Sequence, residues 1–169
     1  MSITLDGSNL TTVGVINSAT AQASTSGTSI DFTGIPSGTK RITVMFNGVS
    51  TNGTSKYQIQ VGSGSVVTTG YSSSASYVTT SVGNSTATTG FIITAVIAAI
   101  YLNNGSVVLA LIGSNTWTST SILSYAGDNI VQVASGISPA LSGALDRIRI
   151  TTVNGTDTFD AGSINILYE

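Results

Sequence analysis

Two acidic residues near the carboxyl end, Asp157 and Asp160, are the closest pair of carboxylates along the chain. A glycosidase needs two carboxyl groups roughly 5–10 Å apart across a sugar, so this pair is the first candidate for catalysis. Asp157, however, follows an Asn-Gly dipeptide, and Asp160 stands just before Gly162. Because Asp is favoured in turns for its own hydrogen bonding, we expect two turn residues here rather than a hydrolase site.

Other catalytic chemistries lack the residues they need. The chain contains no His and no Cys, so a serine nucleophile would need a lysine as its base. Ser37 precedes Lys40, but it lies in a Gly-Ile-Pro-Ser-Gly turn, where serine is expected for its turn chemistry. The glycines at 62–64 have no Walker lysine, and the acids do not have the spacing of a calcium loop. We therefore predict a protein that is not an enzyme, with no catalytic residue, no metal site and no cofactor.

Flat aromatic rings beside hydroxyl groups could bind the rings and polar edges of a glycan. Tyr71 and Tyr77 flank a run of serines in a predicted loop, and they are the candidate receptor-binding residues. Trp117 alternates with Thr116 and Thr118, which favours a core or interface position in a strand. A host surface glycan is thus a candidate partner.

The charge pattern argues against polyanionic partners. The chain carries five basic and seven acidic residues, for a net charge of −2 at pH 7, and the basic residues are scattered. Nucleic-acid binding needs a clustered basic patch, so no nucleic-acid partner is expected. A hydrophobic fraction of 41% and a mean hydropathy of +0.36 also make the chain too apolar for a disordered protein.

No segment has the pattern of an export signal or a membrane span. Residues 1–6 lack a basic region followed by an apolar stretch, which predicts synthesis in a cytoplasm. The apolar run 91–102 is shorter than the roughly 20 residues that a membrane helix needs, so no membrane insertion is expected. Because Cys is absent, stability must come from packing and assembly rather than from disulfides.

The elements that must position these residues are β-strands. Turn clusters rich in Gly, Asn and Asp separate segments without a helical period. This pattern predicts an all-β fold: a single antiparallel β-sandwich, jelly-roll-like, over residues 28–169. Strict alternation of apolar and polar residues, typical of strands with one buried face, occurs in 41–46, 57–61, 146–150 and 163–168.

Two stretches are poor in large apolar side chains. Residues 1–27 are predicted to form an extended amino-terminal arm that rests on the body of the protein or on a neighbouring subunit. Residues 72–89 contain many Ser and Thr and few large apolar groups. This second stretch is predicted to be a long polar connection or a weak hairpin at a sheet edge.

The segment 91–100 is apolar on both sides of a predicted strand, which an Asn-Gly hairpin would join to a partner strand at 107–112. An outward apolar face is rarely left uncovered on a monomer, and burying each larger side chain would contribute about 1.5–3 kcal/mol. We therefore predict an oligomer interface formed by Ile92, Val96, Ala98 and Ile100. The alternative is that the arm or the 72–89 stretch covers this face within one chain.

Three segments resemble tail-fibre and other virion surface proteins of tailed bacteriophages. They are residues 1–7, MSITLDG, residues 28–53, TSIDFTGIPSGTKRITVMFNGVSTNG, and the region from 141 onward, which begins LSGALDRIRITTVNGTDTFDAGS. Together they cover 62 of the 169 residues. The resemblance implies a structural β-domain that forms a homotrimer on the outside of a particle, and it implies no reaction.

Two roles on a phage particle follow from the resemblance. In the first, the chain is a trimeric tail-fibre or receptor-binding module that contacts tail or baseplate proteins and a bacterial surface glycan. In the second, suggested by the lack of an extended shaft, it is a trimeric capsid decoration, or cement, protein that binds the major capsid protein and stabilises the shell. The expected location is the virion surface, after synthesis in the bacterial host cytoplasm.

Overall fold

The computed structural model of the protein describes residues 15–79, 82–126 and 130–169. Within these ranges the chain forms fourteen strands and no helix. In chain order the strands are β1 (Asn17–Ser18), β2 (Gln22–Ala23), β3 (Ser29–Thr33), β4 (Arg41–Thr51), β5 (Tyr57–Ser63), β6 (Ser65–Val66), β7 (Ser72–Val78), β8 (Val82–Ala87), β9 (Phe91–Ile92), β10 (Leu102–Gly113), β11 (Thr116–Ala126), β12 (Val131–Ile137), β13 (Arg147–Thr152) and β14 (Phe159–Tyr168).

These strands form two antiparallel sheets. The nine-stranded sheet has the order β1-β14-β4-β10-β11-β12-β7-β8, and β2 also pairs with β14. The five-stranded sheet has the order β3-β13-β5-β6, and β9 also pairs with β5. Side chains from both sheets meet in one apolar core. The predicted all-β antiparallel sandwich is therefore confirmed, whereas its jelly-roll connectivity stays a prediction.

Alternate residues of the predicted strands build this core. In β4, Ile42, Val44 and Phe46 are buried, whereas Arg41 is exposed. The inner residues of β13 and β14 follow the same rule, because successive side chains of a strand point to opposite faces. Trp117 of β11 is 1% exposed and belongs to the core, as its alternation indicated.

The described part of the amino-terminal arm, residues 15–27, lies along one edge of the nine-stranded sheet. Its two short strands pair with β14, and the Ser24 hydroxyl donates to the carbonyl of Ala161 at 2.8 Å. The carbonyl of Gly27 accepts a hydrogen bond from the backbone N–H of Phe159. This part of the arm rests on the body of its own chain. The rest of it, residues 1–14, lies outside the described residues.

The predicted strand at 91–100 is wrong beyond its first two residues. After β9 the chain leaves the five-stranded sheet and crosses the sandwich to β10 as an irregular segment. Ile93 and Ile97 are buried in the core, and Gln132 Oε1 accepts from the backbone N–H groups of Ala95 and Val96 at 2.6 and 2.8 Å. The apolar residues of 91–95 and Ile97 are buried within the chain, whereas Ala99 and Ile100 at the end of the segment are exposed.

The predicted hairpin turn after Leu102 is also absent. Gly105 lies within the continuous strand β10, where it has a φ of 133° at a β-bulge opposite β4. The turn occurs later, at Ser114 and Asn115, which both have positive φ values of 49° and 57°. Two such residues form the type I′ turn that matches the twist of paired strands, and here it joins β10 to β11.

The described residues of the 72–89 stretch, 72–79 and 82–89, include two paired strands at the sheet edge, in line with the edge hairpin that was one of the two predictions for it. β7 pairs with β12 on one side and with β8 on the other, and β8 ends the nine-stranded sheet. Among the described residues, no helix has the length and apolar character to cross a membrane.

Gly162 is expected to be the least replaceable glycine at the β4–β14 junction. Its φ is 89°, and a Cβ there would overlap the Gly48 carbonyl and lie 2.6 Å from the carbonyl oxygen of Asn47. Because the obstacle is backbone, Gly162→Ala should lower the free energy of unfolding by about 2–5 kcal/mol, from left-handed strain plus overpacking. Denaturant unfolding measures this loss.

Gly155→Ala is the matched control for this prediction. Gly155 has a similar φ of 68°, but an added Cβ there meets nothing within 4 Å. Its cost should be only the strain of about 1 kcal/mol. Equal losses in the two variants would show that the contact with β4 does not matter.

Candidate functional site

Tyr71 is not available to a receptor, in contrast to its predicted role. It is 3% exposed, and its ring packs edge-on against Phe91 with the ring centroids 5.1 Å apart. Its hydroxyl accepts from the backbone N–H of Val61 at 2.9 Å and donates to the carbonyl of Val67 at 3.0 Å. Burial raises the pKa of this phenol to about 12. Tyr71 therefore holds the loop after β6 onto the core.

Tyr77, the other receptor candidate, lies in β7 and is half-buried. It pairs with Gly83 of β8, and its ring occupies the space where a side chain at Gly83 would be. An aromatic ring over a cross-strand glycine protects the backbone of an edge hairpin. The position of Tyr77 thus has a packing explanation that requires no ligand.

The acidic pair near the carboxyl end is held in turn contacts. Asp157 accepts hydrogen bonds from the backbone N–H of Ser55 at 2.9 Å and from Asn154 Nδ2 at 2.6 Å. Asp160 accepts from the hydroxyl of Ser50. Among the described residues, no group of three or more His, Cys, Asp or Glu side chains could hold a metal ion.

The four predicted interface residues do not form one exposed patch. Ile92 is 1% exposed and packs with Ala75, whereas Ile100 is 82% exposed. Val96 and Ala98 are half-buried. The irregular path after β9 scatters these side chains, because without an extended backbone alternate residues no longer share a face.

The structure places an exposed apolar surface elsewhere, on the outer face of the nine-stranded sheet. Ile122 of β11 pairs directly with Val133 of β12, and Val131 and Ile137 follow on the same side of β12. Their exposed fractions are 63%, 49%, 52% and 42%, respectively. We call Ile122, Val131, Val133 and Ile137 the apolar patch. The Thr120–Ser135 row separates Ile137 from the other three. Exposed apolar side chains grouped on one sheet face usually mark an interaction surface.

Hydroxyl groups lie within and beside the apolar patch, and the described residues of β7, β8 and β10 to β12 include no charged side chain. Outward positions on the neighbouring strands include Thr120, Ser135, Ser74 and Thr86, which are paired in one row across β11, β12, β7 and β8. Along the sequence, Asp128 is the one charged residue between Lys56 and Asp146, and it lies outside the described residues. Strands β5 to β12 therefore carry no charged side chain.

The outer face of the five-stranded sheet is polar instead. Backbone pairing places three rows of outward residues side by side on β3, β13 and β5. We call this array the polar grid. Its rows are Ser29–Thr151–Gln58, Asp31–Arg149–Gln60 and Thr33–Arg147–Gly62.

Ion pairs neutralise both arginines of the polar grid. Arg149 donates from Nε and Nη2 to the two carboxylate oxygens of Asp31 at 2.7 and 2.8 Å. The hydrogen bond to Asp31 raises the pKa of Arg149 above its ordinary value. Arg147 pairs in the same way with Asp146, and this contact lowers the pKa of the Asp146 carboxyl. Both pairs are partly exposed, so they organise the surface more than they stabilise the fold.

Two clefts meet on the polar grid and share Arg149. One, of about 420 Å³, is lined by Gln58, Gln60 and Thr151 together with residues of neighbouring loops. The other, of about 290 Å³, lies between Asp31, Arg147 and the turn at 64–66. Together they form an open polar depression along the smaller sheet.

Neither face was identified from the sequence. The alternation in 57–61 and 146–150 did place Gln60 and Arg149 on outward positions. Their convergence with Asp31 depends on the order β3-β13-β5, which no local pattern encodes. At the apolar patch the local pattern misleads, because the alternation of Val131 and Val133 with Gln132 predicts inward valines, whereas Gln132 is the buried residue.

The chain was compared with family models, with curated proteins and with solved structures. No family model matches, no curated protein matches, and no solved structure matches. The function is therefore inferred from the two sheet faces and from the sequence.

Proposed function

We propose that the chain is a non-enzymatic structural protein of a tailed-phage virion, a homotrimeric tail-fibre or receptor-binding module. The observation that carries this proposal is the apolar patch on β11 and β12, two strands without charged side chains, because it is an exposed surface suited to assembly. The resemblance of residues 28–53 and 141–163 to virion surface proteins supplies the setting and the trimeric state.

The chemistry of this face suits contact with identical copies. The part of the face formed by β7, β8 and β10 to β12 carries no charged side chain among the described residues, so two copies can meet there without like-charge repulsion. The hydroxyls of Thr120 and Ser135 can each donate and accept a hydrogen bond, so they can pair with polar groups of a neighbouring subunit in a trimer. The assembly leaves the smaller sheet outside, where the polar grid can meet a bacterial surface glycan.

Light scattering on the purified chain tests the assembly. We expect a mass three times the chain mass of 17.1 kDa at micromolar concentration. A mass of one chain under these conditions would overturn the proposal, because the uncovered patch would then need no partner. Salt should change the result little, since the apolar patch itself contains no ion pair.

Antibody labelling of intact phage particles tests the location. A receptor-binding module should be labelled at the tail, in few copies per particle, in contact with tail or baseplate proteins. Labelling over the whole capsid would instead identify the decoration role, with the major capsid protein as the partner. Absence of the protein from purified particles would overturn both roles.

A further inference from the structure

We propose that the polar grid is a binding site for a neutral polysaccharide, centred on Asp31, Arg149 and Gln60. This inference rests on the proposed function in assuming that a surface glycan is the ligand, and it adds the site and the chemical class of that ligand. The receptor candidates from the sequence, Tyr71 and Tyr77, take no part in it.

The shape of the site fits an extended ligand. The two clefts of about 420 and 290 Å³ adjoin at Arg149 and are open to solvent. They run over a sheet face, which offers a rigid floor for successive sugar rings. A compact apolar ligand would need an enclosed and mostly apolar pocket, and the grid offers hydroxyl, amide and guanidinium groups instead.

The central row matches the hydrogen bonding of sugar hydroxyls. Each sugar hydroxyl both donates and accepts, so a pair of neighbouring hydroxyls needs an acceptor and a donor side by side. Asp31 and Arg149 provide this combination, and the side chains of both are 38% exposed. Arg149 uses Nε and Nη2 on Asp31, which leaves its other N–H groups for a ligand, and the carboxylate oxygens keep further lone pairs.

The amides beside this row are fixed before any ligand arrives. Gln58 accepts from the Thr89 hydroxyl at 2.8 Å and donates to the carbonyl of Thr152 at 3.3 Å. Gln60 is 6% exposed and donates from Nε2 to the Thr89 carbonyl at 2.9 Å. A side chain that is already ordered loses little conformational entropy on binding, so this floor is organised for a polar ligand.

The ion pairs indicate that the ligand is neutral. Both arginines of the grid already contact carboxylates, Arg149 with Asp31 and Arg147 with Asp146. An anionic polysaccharide would have to approach these carboxylates, and a nucleic acid would need several unpaired cations. Hydroxyl groups of a neutral sugar meet no such repulsion. Binding should therefore change little with ionic strength.

A printed array of neutral and uronate-containing bacterial polysaccharides, probed with the full chain, tests the site. We expect binding to neutral members and a loss of about tenfold or more in Arg149→Met, because charge-assisted hydrogen bonds to the ligand are removed. Arg41→Met is the matched control: Arg41 is also paired with a carboxylate, that of Glu169, but it lies on the other sheet. Its binding should equal that of the natural chain.

A second variant covers the case in which Arg149→Met does not fold. Ser29→Tyr keeps the Asp31–Arg149 pair and places a large ring in the cleft from the edge strand β3, so it should also abolish binding. The melting temperature of each variant shows whether it folds. Neutral binding that survives in both folded variants would overturn the site, and binding only to uronate-containing members would overturn the neutral ligand.

The outcome is separable from that of the proposed function. If no array member binds while the chain is a trimer on phage particles, the polysaccharide site is wrong and the virion role stands. If the chain binds neutral polysaccharides through this cleft but is a monomer and absent from particles, the site stands and the virion role is wrong.

Discussion

An Ile122→Asp variant is expected to remain a single chain at concentrations where the natural sequence forms its assembly. Ile122 is 63% exposed at the centre of the apolar patch and pairs with Val133. In an assembled state its replacement would place a carboxylate among apolar groups, with no cation on strands β5 to β12 to pair with it. An unpaired buried charge costs about 3–5 kcal/mol, which corresponds to a hundredfold or greater loss of affinity. Sedimentation velocity measures the change.

Two matched variants locate the interface. Val153→Asp changes a valine of 41% exposure in the turn after β13, on the smaller sheet, and it should leave assembly unchanged. Ile100→Asp tests the interface predicted from the sequence, and it should also have no effect. If Ile100→Asp dissociates the assembly and Ile122→Asp does not, the apolar patch is not the interface.

The second large effect is a loss of stability in alkali. Burial raises the pKa of both Tyr57 and Tyr71 to about 12 in the folded state, from about 10 in the unfolded chain. The folded state therefore binds more protons than the unfolded state above pH 10, so stability falls as pH rises. The stabilisation is fully present below pH 10 and disappears as pH passes 12. Each tyrosine contributes about 3 kcal/mol to this loss.

Denaturant unfolding at a series of pH values from 8 to about 12 checks this expectation. Tyr71→Phe should remove about half of the decline with pH, because one of the two buried phenols is gone. At neutral pH the same variant should be less stable by about 1–3 kcal/mol, since the buried N–H of Val61 loses its acceptor. A natural chain whose stability is constant up to pH 12 would contradict the prediction.

The strands that one could predict from the sequence are those with one buried face. In β4 and β14, strict alternation reports the core directly, since Ile42, Val44, Ile164 and Ile166 all point inward. An edge hairpin was also one of the two predictions for the 72–89 stretch, because a hairpin at a sheet edge needs few large apolar groups.

The predicted strand at 91–100 was wrong because an apolar composition indicates that a segment is buried and does not indicate its backbone conformation. Ile93 and Ile97 are buried in a segment of irregular backbone. Backbone N–H groups of this segment donate hydrogen bonds to the side chain of Gln132. Likewise, the Asn-Gly pair at 104–105 permits a turn but also permits a bulge, and the pairing of β10 with β4 selects the bulge. In both cases tertiary contacts decide between local alternatives.

The apolar patch and the polar grid could not be predicted from the sequence for a different reason. Asp31, Gln60 and Arg149 come from strands far apart along the chain, and only the strand order makes them neighbours. The position of the apolar patch depends likewise on which side of β12 meets the core, and the buried Gln132 reverses the choice that hydropathy would make.

The near absence of charged residues between Lys56 and Arg147 also affects how the copy number of the protein on particles can be measured. Trypsin cleaves after Lys and Arg, so β5 to β12, eight of the fourteen strands, contain no cleavage point for it. Tryptic digestion of the denatured chain gives one very long peptide with little charge, which standard mass spectrometry detects poorly. Chymotrypsin cuts after the aromatic residues of this region, such as Tyr77 and Trp117. It is the better protease for measuring copy number on particles.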